Sequence, residues 1–211
     1  MTLHGDDGQI DSDGSSSQYF DDDPTVASDP VTIDVSLPDT AFSLRTDRGV
    51  FARGQLDAGT SFLLRSDAPL VPTGDVLDLG CGAGPIALTM ARRSPLATVW
   101  AVDVNQRALE LCRANAAANG ITNLWAVLPD DVPPDVEFGS IWSNPPIRIG
   151  KGALHELLLR WLPRLTDGGT ATLVVQKHLG ADSLQRWLST QGFVAVRTAS
   201  KAGYRLLSVT R

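Results

Sequence analysis

The chain has 211 residues, 43% of them hydrophobic, which suits one domain with a substantial core and a modest extension rather than two full domains. No run of about 18 apolar residues is present to span a bilayer, and the Met1–Asp7 start lacks the basic-then-apolar order of a secretory signal. Cys81 and Cys112 are its only cysteines, which excludes a disulfide framework or a cysteine-rich zinc site; a cytoplasmic protein with two free thiols is expected.

In chain order, residues 1–18 are rich in Asp, Ser and Gly and nearly devoid of large apolar side chains, the composition of a disordered acidic tail. The net charge of −6 is concentrated here: residues 1–30 hold eight Asp and no Lys or Arg, which leaves sixteen of the 24 acids against 18 bases. Residues 19–66 form a second segment. Alternation in Val31–Leu37 and Ala41–Arg45, around Pro38-Asp39-Thr40, predicts a β-hairpin. Asp57 is placed to N-cap a short helix through Thr60–Leu64. Over residues 67–211 strand and helix alternate, which indicates a parallel sheet. The predicted series is strand 75–79, helix 85–93, strand 98–102, helix 105–118, strands 123–128 and 138–142, helix 151–163, strand 170–176 and helix 181–190. Strands near 193–199 and 203–210 follow, close enough to pair antiparallel. Trp100, Trp125, Trp142, Trp161 and Trp187 fall mostly on predicted strands or apolar helix faces and read as core. His155, amid Leu154, Leu157 and Leu158, reads as a surface or packing histidine.

Two places carry chemistry. Val76-Leu77-Asp78-Leu79 reads as a buried strand, Gly80-Cys81-Gly82-Ala83-Gly84 turns the chain, and Pro85 takes the first helical position. Glycines at such a turn let the backbone approach a ligand closely. The dinucleotide fingerprint G-x-G-x-x-G would need its third glycine where Pro85 stands, which disfavours a nicotinamide or flavin cofactor. The next strand ends at Asp103, whose carboxylate can accept from two ribose hydroxyls at the carboxyl edge of a parallel sheet. A nucleoside lying across the first two strands is implied. Further on, the apolar run Gly139–Ser143 ends in Asn144-Pro145-Pro146-Ile147. An Asn side-chain oxygen and the next residue's carbonyl can both accept hydrogens of one planar NH2 group, while prolines fix the backbone and remove competing donors. Asn-Pro is also ordinary turn chemistry, and an Asp at a strand end also serves to cap a following helix.

Taken in order, Asp78-x-Gly80-x-Gly82-x-Gly84, Asp103 and Asn144-Pro145-Pro146 resemble the class I S-adenosylmethionine-dependent methyltransferases that modify amino or amide nitrogens. The resemblance is closer still to the small-subunit ribosomal RNA guanine-N2 methyltransferases and their short single-domain relatives. It runs from about Pro30 to the C-terminus, and Thr46–Phe51 with Leu56–Thr60 is similar to the entrance segment that covers the methionine end of the cofactor in that family. It implies an α/β fold: a doubly wound, Rossmann-like sheet of seven strands, the last pair antiparallel, with a small N-terminal β-hairpin cap. It also implies S-adenosylmethionine bound by Asp78, Gly80, Cys81, Gly82, Gly84, Asp103, Val104, Asp130 and Asn144. In that site Asp78 orients the loop or meets the methionine ammonium, Asp103 binds ribose, and Asp130, favoured slightly over Asp131, accepts from the adenine amine.

On the same resemblance Asn144, Pro145 and Pro146 are the catalytic motif, with no metal and no cysteine nucleophile. Phe51, Ile147, Arg148, Lys151 and Lys177 are the expected substrate contacts, and ribosomal RNA or the small ribosomal subunit is the expected partner. His178, Arg45, Arg48 and Arg53 add basic groups for an RNA backbone. The acidic tail either stays solvated or competes with RNA for this basic face. The chain departs from the family at Ile147, where an aromatic ring usually stacks on the flipped base. Arg148, next in sequence, can stack or pair with phosphate. A protein glutamine amide, an adenine N6, or a binding role without catalysis therefore stay open beside the guanine.

Overall fold

The computed structural model describes residues 27, 29–48, 54–146 and 149–211. The acidic tail, the entrance-segment residues 49–53 with Phe51 and Arg53, and Ile147 and Arg148 lie outside the described residues. The hairpin forms as its alternation requires, with β1 (Val31–Ser36) antiparallel to β2 (Ala41–Thr46) and Val35, Phe42 and Leu44 turned inward. After α1 (Ala58–Leu64) come β3 (Thr73–Leu79), α2 (Pro85–Arg93), β4 (Leu96–Val102), α3 (Gln106–Ala118), β5 (Leu124–Val127) and β6 (Phe138–Ser143). The chain ends with α4 (Lys151–Trp161), β7 (Leu165–Gln176), α5 (Ala181–Thr190), β8 (Val194–Lys201) and β9 (Tyr204–Thr210). The main sheet runs β5-β4-β3-β6-β7-β9-β8, parallel as far as β7, with β9 antiparallel to both its neighbours. This is the expected doubly wound sheet with a hairpin cap.

The two-residue period of a strand sends alternate side chains to opposite faces, and both faces of β3 are apolar. Val76 faces a core with α1, α2, α3 and the hairpin, whereas Leu77 and Leu79 face a second core with α4 and α5. One corner of that second face is bare. The connection from β5 to β6 is Leu-Pro-Asp-Asp-Val-Pro-Pro-Asp-Val-Glu, whose prolines allow only a single 3-10 turn over Pro129–Asp131. Among the described residues no helix covers this end, and Leu96 is 78% exposed and Trp125 59% exposed. The core reading thus fails for Trp125; Trp142 and Trp161 are fully buried, and Trp100 and Trp187 half-buried.

Several boundaries differ from expectation by a few residues, and two of the differences have a local cause. The helix expected to reach 163 ends at Trp161 and tightens into a 3-10 turn over Leu162–Arg164, because Pro163 carries no N–H to continue it. The strand expected at 170–176 begins at Leu165, where a register shift opposite Phe138 to Ser140 takes up the extra residues around Gly168-Gly169.

Strand order reverses between β3 and β6, since the chain first builds outward from β3 to β4 and β5 and then returns to β3's other side. At such a switch point the loops leaving the two central strands part in opposite directions and open a crevice at their carboxyl ends. The glycine loop leaves β3 there, and Asn144 leaves β6.

Candidate active site

Asp78 and Trp142 are register partners on β3 and β6, so the motifs that follow them start side by side. The hydroxyl of Ser143 donates to the Leu79 carbonyl at 2.6 Å and ties the two strand ends together. A Cβ built on Gly80 would have Pro146 Cδ as its nearest neighbour, at 3.9 Å, which places the Asn-Pro-Pro turn over the start of the glycine loop. Gly80 and Gly82 have φ of 77° and 53°, the left-handed region that other residues adopt at a cost. Their N–H groups are held from the neighbouring strand: Gly80 and Cys81 donate to the Val102 carbonyl at 2.8 and 3.0 Å, and Gly82 donates to Asp103 Oδ2 at 2.9 Å.

Asp103 also accepts from Asn105 N–H at 3.0 Å through its other oxygen. Each carboxylate oxygen has a further lone pair, so the group is fixed in direction yet able to accept from a diol. Burial pushes its pKa up, and the N–H groups of Asn105, Gly82 and Val104 work against that. Val104 itself is half-buried beside it.

Asp78 is completely buried. Its Oδ2 accepts from the Ala87 N–H in the first turn of α2 at 2.9 Å, and its Oδ1 has no partner among the described residues. Burial holds this carboxyl well above the usual carboxylate range; the Ala87 N–H counters it, and the charge of Asp103 adds to it. An orphaned buried carboxylate oxygen beside a glycine loop wants a donor or a cation. The expected cofactor, which carries an ammonium and a ribose, fits this pair of carboxylates. One oxygen of Asp78 thus holds the first turn of the helix that follows the loop, and the other stands without a hydrogen-bond partner among the described residues.

The third glycine has a packing reason of its own. A Cβ on Gly84 would lie 2.6 Å from Cys112 Sγ and 3.0 Å from Leu88 Cδ1, so the absence of a side chain lets the loop seat on α3. Cys81 likewise turns inward. Contact with Cys112 and burial both raise its thiol pKa, which leaves only its backbone for a ligand and makes it no nucleophile at neutral pH.

Asn144 is half-buried at the mouth of the crevice, and its amide donates to Asp57 Oδ2 at 2.7 Å and Thr60 Oγ1 at 3.0 Å. Asp57 does N-cap α1, accepting from Thr60 N–H at 2.8 Å, and its second bond, to Asn144 some 87 residues away, was not visible in the sequence. Asn115 was missed altogether. This buried α3 side chain donates to the carbonyls of Ala83 (2.9 Å) and Arg45 (2.8 Å) and accepts from Arg45 N–H (2.8 Å), joining glycine loop to hairpin. Its signal was a polar residue three and four positions beyond the apolar Cys112 and Leu111 face.

The remaining expected contacts are spread out. Asp130 stands in the 3-10 turn after β5, its side chain 91% exposed and ion-paired to Arg160 at 2.7 Å. Lys151 is exposed at the start of α4, and Lys177 and His178 are exposed just beyond β7, with Lys177 N–H on the Gly203 carbonyl of the β8–β9 turn. His155 stacks on Trp187 at 3.6 Å, a packing role.

A family model described as methyltransferase small domain matches residues 41–208. Uncharacterized protein YbxB of Bacillus subtilis is 37% identical over 172 residues, 80% of this chain and 85% of that protein. Ribosomal RNA small subunit methyltransferase C of Aeromonas hydrophila is 36% identical over 148 residues, 67% of this chain but 42% of that one. Among solved structures, the T. thermophilus 16S rRNA N2 G1207 methyltransferase in complex with AdoMet and guanosine superposes with a TM-score of 0.65 at 20% identity, over 89% of this chain and 52% of that one. The chain thus spans about half the length of these two ribosomal RNA methyltransferases.

Proposed function

Because the chain belongs to the methyltransferase small domain family, we propose that it transfers a methyl group to the exocyclic N2 amine of a guanine in small-subunit ribosomal RNA. S-adenosylmethionine is the cofactor of this domain and supplies, when bound, a methyl group activated on a sulfonium. The observation that carries the reading is the meeting of two motifs at one switch point: a glycine loop with a half-satisfied Asp78 after β3, and Asn144-Pro145-Pro146 after its neighbour β6. Relatives named as ribosomal RNA small subunit methyltransferases support the choice of RNA.

In this reading Asp78 Oδ1 receives the ammonium of the cofactor and Asp103 its ribose, while Gly80 and Gly82 keep the loop free of side chains. Asn144 Oδ1 and the Pro145 carbonyl accept the two hydrogens of the acceptor amine. That turns the nitrogen lone pair, otherwise delocalised into the base, out towards the methyl group, and it stabilises the positive charge that grows on nitrogen. Alignment alone is worth about 7 kcal/mol in well-oriented systems. Pro145 and Pro146 bring no N–H of their own to compete.

Ile147, which offers contact but no aromatic stacking, favours a second acceptor with the same planar NH2: a protein glutamine amide or an adenine N6. Incubation with labelled S-adenosylmethionine and small ribosomal subunits lacking the modification separates the readings. Label in guanine is the expected outcome; label in protein or adenine moves the assignment to the second acceptor, and cofactor binding without transfer overturns both.

A further inference from the structure

We propose that Asp57 is a positioning residue for methyl transfer: with Thr60 it fixes which end of the Asn144 amide faces the acceptor and places a negative charge one hydrogen bond behind it. The proposal rests on the reading of Asn144 given above. An Asn side chain presents either its oxygen or its NH2 to a substrate after a simple rotation, and only the oxygen can receive an amine's hydrogen. Asp57 removes the choice. A carboxylate accepts only, so the atom of Asn144 that lies 2.7 Å from Asp57 Oδ2 is the nitrogen. The second amide hydrogen goes to Thr60 Oγ1 at 3.0 Å. With both hydrogens used, Oδ1 is the end left for the acceptor.

The assembly is built for this approach. Asp57 Oδ2 also accepts from Thr60 N–H at 2.8 Å, so the carboxylate is held by the first turn of α1 and does not swing. Thr60 is itself buried. Gly59, one of the two residues between them, is hemmed in: a Cβ there would stand 3.1 Å from Asp57 Oδ2 and 2.7 Å from the Tyr204 ring. Any larger residue would push α1 away from β9, and Asp57 away from Asn144. The ring is in turn fixed by its hydroxyl, which accepts from Gln176 Nε2 at 2.9 Å. One strand end and one helix start are thereby locked around a single amide.

The charge has its own effect. As the acceptor nitrogen bonds to the methyl carbon it becomes positive until one proton leaves to water, and the carbon–sulfur bond breaks with its electron pair remaining on sulfur. A carboxylate donating electron density through the Asn144 amide makes Oδ1 a stronger acceptor at that moment, and an aligned chain of hydrogen bonds strengthens each member.

The test compares Asp57→Ser and Asp57→Asn with the parent in the full chain. Serine and asparagine both cap helices well, so melting temperatures should stay close to the parent's. Serine is too short to reach Asn144; asparagine can still accept but carries no charge. The expected result for Asp57→Ser is a fall in kcat of about 100-fold, as for loss of one aimed donor or acceptor. Asp57→Asn should recover part of the rate. By NMR, the side-chain amide protons of Asn144 should be exchange-protected in the parent and lose protection in Asp57→Ser. Unchanged protection, or an unchanged kcat, overturns the proposal. The NMR arm needs no acceptor, so it reports on Asp57 even where the guanine assignment fails; transfer to a protein amide that is equally sensitive to Asp57→Ser would overturn the assignment and uphold Asp57.

Discussion

A carboxylate with no exposed surface and one oxygen without a donor, as at Asp78, costs stability while its partner is away. Its carboxyl titrates higher in the folded protein than in the unfolded chain, so the folded state holds the proton more tightly. That contribution to stability is complete below the unfolded carboxyl range and is lost as pH rises through the folded value. Asp78→Asn, neutral throughout, should therefore be more stable than the cofactor-free parent by an amount that grows as pH is raised from about 4 to about 8. Thermal melts across that range check this, and a constant difference would contradict it. The same substitution should weaken cofactor binding, because the lone oxygen and its charge are gone. Asp103→Ala removes the carboxylate that holds Gly82 and Asn105 and is proposed to bind ribose, and S-adenosylmethionine affinity should fall about 10- to 100-fold by calorimetry, the scale of a charge-assisted hydrogen bond.

Among the elements, the crossover from β5 to β6 shows how a segment without a helix is held. Arg164, in the turn after α4, donates to the Val136 carbonyl from Nε (3.0 Å) and to that of Pro133 from its terminal nitrogen, and its Cζ lies over the Phe138 ring, 5.1 Å from the centroid, and over that of Trp161, at 5.0 Å. A lysine keeps the charge and loses both the fork and the stacking. Arg164→Lys should cost about 1–3 kcal/mol in denaturant unfolding, with cofactor affinity unaffected. Most of this scale was legible beforehand, because hydrophobic period, glycine, proline and capping residues act over a few positions; the strands around Val76 and Ile141 and the cap at Asp57 are of this kind. What was not legible depended on who packs against whom. Trp125 reads as core because its strand does, and its exposure follows from a helix that the prolines at 129, 133 and 134 do not permit. The bond from Asp57 to Asn144 and the three bonds of Asn115 join residues far apart in sequence, and no local pattern announces them.

For the whole molecule the charge is divided along the chain: the first 30 residues carry eight acids, and the remainder has 18 bases against sixteen acids. The proposed RNA substrate would be held largely through phosphate contacts, so binding of small-subunit RNA should weaken steeply with added salt. Removing residues 1–26, with seven Asp, should tighten RNA binding at low salt and leave cofactor affinity as it was. Equal RNA affinity with and without them, measured by filter binding, would assign these residues to solvation alone.

Asn115 reaches further than its size suggests. One amide bonds Arg45 in the hairpin and Ala83 in the glycine loop, so the cap cannot loosen without freeing a carbonyl of the loop that faces the ligand. The hairpin is then a gauge of occupancy: filling the crevice should slow hydrogen exchange at the amides of β2, and Asn115→Ala should uncouple the two while costing about 2 kcal/mol of stability.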